Sequence, residues 1–178
     1  MFAGAHNAGP RDDASTVITS FDIRLAVPGD AQEIALMSRR EIEQGLRWSW
    51  TMQRVSRAIA SRQTNVIVAQ TVGVIAGFAL MEYRAEDAHL LLLAVRPEQR
   101  RQGIATAMLK WLEETLLVAG IDKIQVEVRA TNPVAQAFYA KLGYEPVQAT
   151  RGYYQGIESA IHLVKELRPD SMTPGEPG

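Results

Sequence analysis

The run Arg100-Arg101-Gln102-Gly103-Ile104-Ala105-Thr106 puts two guanidinium groups and a glycine immediately ahead of an amphipathic helical pattern. A helix start presents unpaired backbone N–H groups and the positive end of the helix dipole, and a glycine removes the Cβ that would hold a bulky anion away. The chemistry this suits is the cradling of a phosphate or diphosphate. A solvated surface is the competing reading of Arg100 and Arg101. The run matches neither G-x-G-x-x-G nor G-x-x-x-x-G-K-[ST], so it is neither a dinucleotide fingerprint nor a P-loop. Further along, Glu127 lies between Val126 and Val128, where desolvation would raise a carboxyl pKa toward a range useful to a base. An ion pair with Arg129 or Lys123 on the same strand face is the alternative. Glu82 is a second carboxylate, at a strand end beside a polar turn where solvation is its ordinary fate. Tyr139, next to Phe138, is either a core residue with its hydroxyl tied off or a donor in a site. Trp48 and Trp50, in Arg47-Trp48-Ser49-Trp50, either pack into the core and staple the following helix or wall an acceptor site.

These side chains need elements to hold them. His89-Leu90-Leu91-Leu92-Leu93-Ala94-Val95 is a short apolar run stopped by Pro97, which length and the proline assign to a strand buried on both faces. From Ile104 the apolar positions recur through Met108, Trp111 or Leu112, Leu116 and Ala119, the period of a helix, with Gly120 as its C-terminal cap. In the next strand Ile124, Val126 and Val128 share one face and Gln125, Glu127 and Arg129 the other. Asn132-Pro133 predicts a helix cap followed by proline at the first helical position, with Ala135, Phe138 and Leu142 as the core stripe and Tyr139 beside it. Upstream, residues 21–27 predict a strand. Asp30 and Glu33 predict a capping box for a helix burying Ile34, Met37 and Ile42, and Thr51 starts a second helix containing Met52, Val55 and Ile59. Residues 65–70 and 74–83 predict a hairpin, and residues 144–154 and 159–167 a closing pair of strands. The order β-α-α-β-β-β-α-β-α-β-β predicts an α/β fold with a mixed sheet and helices on both faces. A ligand crevice is expected where the two central parallel strands, residues 90–95 and 124–129, splay apart at their carboxyl ends.

Composition bounds the rest. At 178 residues the chain fits one domain, here residues 21–167, with a flexible leader over 1–20 and a frayed tail over 168–178. A formal charge of −1 argues against a nucleic-acid-coating protein, so any anion site must be local. The absence of cysteine removes disulfide frameworks, thiolate metal sites and cysteine nucleophiles, and is compatible with a cytoplasmic location. No apolar run approaches the roughly 20 residues of a membrane helix, and no apolar signal core opens the chain. Strand edges near the C-terminus leave monomer and homodimer both open.

Arg100-x-x-Gly103-x-Ala105 resembles the acetyl-CoA-binding signature of the GNAT acetyltransferase superfamily, Arg/Gln-x-x-Gly-x-Gly/Ala. The run from Glu127-Val128-Arg129-Ala130-Thr131-Asn132 to Phe138-Tyr139-x-x-Leu142-Gly143-Tyr144 resembles one bacterial branch more closely. That branch is the ribosomal-protein alanine N-acetyltransferases, whose run is Leu-Glu-Val-Arg-x-Ser-Asn-x-x-Ala-x-x-Leu-Tyr-x-x-x-Gly-Phe. Arg151-Gly152-Tyr153-Tyr154 and Glu158-Ser159-Ala160 are similar to its Arg-x-x-Tyr-Tyr and Glu-Asp-Ala. The resemblance covers residues 22–167, with Ala105, Thr131, Phe138 and Ser159 as departures.

The resemblance implies the three-layer GNAT fold and acetyl-CoA as co-substrate, with no metal. It implies that backbone groups of Leu93, Ala94 and Val95 hold the pantetheine and the acetyl carbonyl. Arg100, Arg101, Gln102, Gly103, Ile104, Ala105 and Thr106 would surround the diphosphate, and Asn132 would touch the cofactor. Glu127 becomes the general base and Tyr139 the general acid, with Arg47, Trp48, Trp50, Tyr153 and Tyr154 toward the acceptor. A phenol near 10 must give its proton to a thiol near 8.5, uphill by about 2 kcal/mol, so Tyr139 is a positioned donor rather than a strong acid. A protein α-amine, near pKa 8, costs about 3.5 kcal/mol less to deprotonate than a lysine, which favours N-terminal acetylation. A small-molecule or antibiotic amine and a non-catalytic CoA-binding role are the alternatives.

Overall fold

The computed structural model describes residues 20–167; the expected leader and tail otherwise lie outside the described residues. The strands are β1 (Asp22–Leu25), β2 (Thr64–Thr71), β3 (Val74–Tyr83), β4 (Ala88–Val95), β5 (Lys123–Arg129), β6 (Glu145–Tyr154) and β7 (Glu158–Glu166). The helices are α1 (Ala31–Glu41), α2 (Met52–Ala60), α3 (Ile104–Val118) and α4 (Pro133–Lys141). The chain order is the predicted one, and all seven strands form one sheet in the order β1-β2-β3-β4-β5-β7-β6. Among its strand pairs only β4 with β5 is parallel, which requires the crossover that α3 supplies.

Two apolar clusters sandwich the sheet. On one face Ile34, Met37 and Val55 of α1 and α2 pack on Val66, Val68, Phe78 and Leu80. On the other, Ile104, Met108, Leu112 and Leu116 of α3 pack with Ile67, Ala79, Met81 and Val126, joined by Tyr139 and Tyr144. The helical period thus selects Leu112 over Trp111, while Ala119 is exposed at the helix end. On α4 it is Tyr139, and not the Ala135 and Phe138 stripe, that is fully buried. The expected capping box also moves by one turn. Asp30 makes no cap bond to α1; its carboxylate accepts from the Val27 N–H at 2.8 Å and from Arg24 Nη1 at 2.7 Å, closing a 3₁₀ turn ahead of the helix. Glu33 instead pairs with Arg96.

The feature that makes a site is where pairing stops. β4 and β5 are registered only from Ala88 against Ile124 to Leu90 against Val126, and beyond that point they diverge. At the same place β4 slips against β3, because Met81 faces Leu90 while Leu80 faces Leu92, leaving Leu91 as a bulge. Strict alternation from His89 would carry Leu91, Leu93 and Val95 on its face. The bulge puts Leu92 and Ala94 there instead, against α1 and α2, and turns Leu93 and Val95 toward α3.

Candidate active site

The divergence of β4 and β5 opens a crevice of about 370 Å³, walled by residues 90–93 of β4, residues 126–129 of β5, Thr131, Asn132, Ala135 and Tyr139 at the start of α4, Tyr154 of β6, and Glu41, Ile42 and Gln44. Past Leu90 the β5-facing backbone groups of β4 have no strand to pair with, so alternate N–H and C=O groups are left for a ligand. Leu93 lines this wall, whereas Ala94 and Val95 are buried behind it. The Val95 carbonyl is already taken, accepting from Arg100 Nε at 3.0 Å.

Glu127 is the polar centre of the β5 wall. Alternation on β5 buries Ile124, Val126 and Val128 toward α3 and α4 and leaves Glu127 on the other face, as the sequence predicts. Its partners are neither Arg129 nor Lys123. Glu127 Oε2 accepts from Nε2 of His89 on β4, and Oε1 accepts from Nδ1 of His162, its register partner on β7, at 3.1 Å. Arg129 bonds Glu158 at 2.9 Å and the Ile42 carbonyl at 2.6 Å, and Lys123 reaches Glu166. The donor inventory fixes the tautomers. Arg84 Nη2 lies 2.7 Å from His89 Nδ1 and can only donate, so Nδ1 accepts and Nε2 carries the proton. Burial pushes the Glu127 carboxyl up, but the hydrogen bond from His89, reinforced by His162, outweighs it and holds it below the usual carboxylate range. The expected upward shift is therefore reversed, because two imidazoles face the carboxylate where the sequence suggested only apolar neighbours. Glu82 stays at the sheet's rim, 40% exposed and 3.3 Å from Arg84.

Tyr139 closes the opposite wall from α4. Its ring is buried edge-on against Phe138 and Tyr144, and its hydroxyl has no hydrogen-bond partner among the described residues, so the tied-off core reading fails. Burial, with the neighbouring Tyr154, pushes this phenol well above its ordinary value. Tyr139 is thus a weaker acid than expected and a hydrogen-bond donor at all ordinary pH. Tyr154 lines the crevice, with Tyr153 packed edge-on against both Tyr154 and the His162 ring.

At the start of α3, Gly103 is the N-cap with a φ of 79°, and a Cβ built there would meet nothing within 4 Å. The preceding turn therefore leaves open space in front of the free N–H groups of a long helix, the shape a diphosphate needs. Arg101 also adopts a left-handed φ of 62° and forms no ion pair among the described residues, whereas Arg100 is bound to Glu41 at 2.8 Å as well as to Val95. Gln102 is exposed at this turn, Ala105 and Thr106 are partly buried, and Ile104 is a core residue that offers only its backbone. Asn132 caps α4, accepting from the Ala135 N–H at 3.0 Å, while also bordering the crevice.

The tryptophans do not border the crevice. Trp48 and Trp50 pack against the α1 and α2 cluster, with Arg39 over the Trp48 ring and Arg54 3.9 Å from the Trp50 ring. The loop they occupy is organised by buried Glu43, which accepts from the Ser49 N–H at 2.7 Å, from the Trp50 N–H and from the Ser38 hydroxyl. Arg47 contributes its backbone: its N–H donates to Gln155 Oε1 and its carbonyl accepts from Gln155 Nε2, both at 2.8 Å. Spacing gave no hint of His89, His162, Glu43 or Gln155. The two imidazoles stand 38 and 35 residues from Glu127, and only strand register brings them together.

Residues 34–144 match the sequence profile of the acetyltransferase (GNAT) family. The [ribosomal protein bS18]-alanine N-acetyltransferase of Escherichia coli K12 is 33% identical over 123 residues, spanning 69% of this chain and 82% of that protein. The crystal structure of the Escherichia coli ribosomal-protein-S18-alanine N-acetyltransferase superposes with a TM-score of 0.72 at 24% identity, covering 88% of this chain and all of that one. The PaiA N-acetyltransferase of Thermoplasma acidophilum, solved in complex with coenzyme A, has a TM-score of 0.71 at 22% identity over 83% of this chain and 99% of that one. With its splayed β4 and β5, its bulge and its open glycine turn before α3, the chain is an N-acetyltransferase of the GNAT family.

Proposed function

We propose that the chain moves the acetyl group of acetyl-CoA directly onto a primary amine, and that the amine is a protein N-terminal α-amine of the ribosomal-protein alanine kind. The observation that carries this reading is one crevice with an ionised Glu127 on one wall and an unpartnered Tyr139 hydroxyl on the other. The turn from Arg101 to Thr106 would take the diphosphate. Free backbone groups of β4 around Leu93 would take the pantetheine and polarise the acetyl carbonyl, a contribution whose loss elsewhere costs about 100-fold or more. Bound there, acetyl-CoA supplies the activated thioester, and the protein's own groups do the rest. Glu127 draws the proton from the incoming ammonium as general base. Tyr139 donates a hydrogen bond to the departing sulfur and takes the general-acid place as a positioned donor. Tyr153 and Tyr154 face the acceptor. The cysteine-free composition supports a cytoplasmic place of action.

Incubation with acetyl-CoA and, separately, an Ala-initiated peptide, a lysine peptide and polyamines, followed by thiol release, tests the acceptor. Fastest release with the Ala-initiated peptide is expected; preference for a polyamine would move the assignment to a small-molecule acetyltransferase. Glu127→Gln is expected to lower kcat by about 100-fold with acetyl-CoA affinity unchanged, and full turnover would remove Glu127 from the mechanism. A carboxyl at its ordinary value already lies about 5 kcal/mol below what an α-ammonium near pKa 8 would readily give a proton to, and Glu127 is held lower still.

A further inference from the structure

Charge on this chain is segregated. Between Arg39 and Arg62 the sequence holds six arginines, no lysine or aspartate, and two glutamates, a net of +4 in a protein whose total is −1, so the remainder carries −5. All six arginines are exposed. Both glutamates are already engaged: Glu41 bonds Arg100 at 2.8 Å, and Glu43 is buried against the backbone of Ser49 and Trp50. Arg40 lies 3.6 Å from Glu33, whereas Arg39, Arg47, Arg54 and Arg57 form no ion pair among the described residues. The fold gathers these four. The Trp48 indole N–H donates to the Trp50 carbonyl at 3.0 Å, folding the loop so that Arg39 of α1 lies over one ring, at 5.0 Å, and Arg54 of α2 over the other, at 3.9 Å. Arg57 follows Arg54 by one helical turn, and Arg47 immediately precedes Trp48. A guanidinium stacked by its face keeps its N–H edge free for a carboxylate fork. The surface adjoins the crevice: Glu41, Ile42 and Gln44 of the same segment are crevice wall, and the Arg47 backbone is bonded to Gln155, the neighbour of the crevice residue Tyr154.

We propose that this arginine surface binds carboxylates of the acceptor chain, so that the polypeptide whose α-amine enters the crevice is acidic over the residues that follow its first few. The proposal rests on the N-terminal-amine reading above and adds the acceptor's charge to it. An amine seated beside Glu127 and Tyr139 draws its own chain out through the crevice mouth, and on the α1 side that chain passes arginines with no local counter-charge. Aspartate or glutamate there gains an ion pair with each arginine it meets, and lysine or arginine meets repulsion. A nucleic acid fits the same surface less well. One face of each indole is covered by a guanidinium and the rings pack on the α1 and α2 cluster, so no open aromatic face is left for a base to stack on. The −5 outside the segment also repels any polyanion longer than the patch.

Three peptides of about ten residues, roughly 33 Å when extended, share an Ala-Ser-Gly start and continue with glutamate, serine or lysine at alternate positions. Thiol release from acetyl-CoA is expected to give a kcat/KM about tenfold or more higher for the glutamate peptide than for the lysine peptide, chiefly through KM. The ratio should fall toward unity as salt rises from about 0.05 M to about 0.5 M. Arg54→Glu combined with Arg57→Glu brings the segment to net zero, and there the ratio is expected to be close to unity. Because the ratio is read within one protein, a general loss of activity does not enter it. Where the double variant fails to fold, Arg57→Glu alone, at an exposed side chain with no ion pair among the described residues, should cut the ratio about threefold. Equal kcat/KM for the three peptides in the wild-type protein, or a preference for lysine, overturns the proposal, as does an acidic preference that survives in the variants. Tight binding of a fluorescent single-stranded RNA, lost in Arg57→Glu and unaccompanied by any peptide preference, would make the partner a nucleic acid and also overturns it. Turnover with polyamines and none with any Ala-initiated peptide removes the acceptor reading itself, a result distinct from equal turnover on all three.

Discussion

Tyr139 shows how burial and function conflict in one side chain. Its ring fills the α3–α4 core, yet its hydroxyl borders the crevice with no hydrogen bond to a described residue, so packing holds the ring and the hydroxyl is left for a ligand. Tyr139→Phe is therefore expected to leave the melting temperature unchanged or slightly raised, while kcat drops by about 10-fold or more and the Michaelis constant for acetyl-CoA holds. Calorimetry beside steady-state kinetics checks this, and a large fall in stability would return Tyr139 to a structural role. Legibility at this scale follows chemistry. A tyrosine in a helix and a glutamate in an alternating strand are visible as candidates. That the glutamate's pKa falls rather than rises is not visible, because the sign is set by His89 and His162, whose nearness depends on long-range register. His89 heads an apolar run and reads as part of it; only the fold turns it onto the polar face.

Elements were more readable than the contacts between them. The Asn132-Pro133 start of α4, the glycine start of α3 and the alternation of β5 were all local signals, and local backbone preference enforces each one. The bulge at Leu91 was not local: four consecutive leucines carry no phase, so nothing in the run marks where alternation slips. The close approach of β3 and β4 near the splay is set instead at Gly77, the register partner of Val95. A Cβ at Gly77 would stand 2.9 Å from both the Ala94 carbonyl oxygen and Met108 Cε, so β3, β4 and the first turns of α3 meet closely only because that atom is missing. The Ala94 oxygen is backbone and cannot swing away. Gly77→Ala should cost about 2 kcal/mol in urea unfolding and, by pushing β4 toward the splay, raise the Michaelis constant for acetyl-CoA; a variant as stable as wild type would mean that the sheet yields there freely.

Taken whole, the molecule is two lobes that share little sheet: three register pairs join β4 to β5, and the crevice runs between them. Side-chain bridges across this seam therefore carry much of its geometry. Tyr144 and Lys165 meet Glu113 behind the crevice, and Arg129 holds the Ile42 carbonyl at its front. The last bridge, from Gln155 in the β6–β7 turn to both backbone groups of Arg47, ties the loop after α1 to the far hairpin across 108 residues of chain. It can be removed almost without thermodynamic consequence. Gln155 sits at a φ of 56°, where a side chain is strained by roughly 1 kcal/mol or more that glycine would not feel, and its two exposed hydrogen bonds are worth about 1 kcal/mol each at most. In Gln155→Gly these effects nearly cancel, so the melting temperature should move by less than about 4 °C. The loop and the hairpin nonetheless lose their only side-chain link among the described residues. If acceptor amines enter between them, the Michaelis constant for the acceptor should rise several-fold while that for acetyl-CoA, whose proposed cradle is the turn before α3, stays constant. Equal effects on both constants would place the acceptor's path elsewhere and leave the bridge a purely mechanical tie between the lobes.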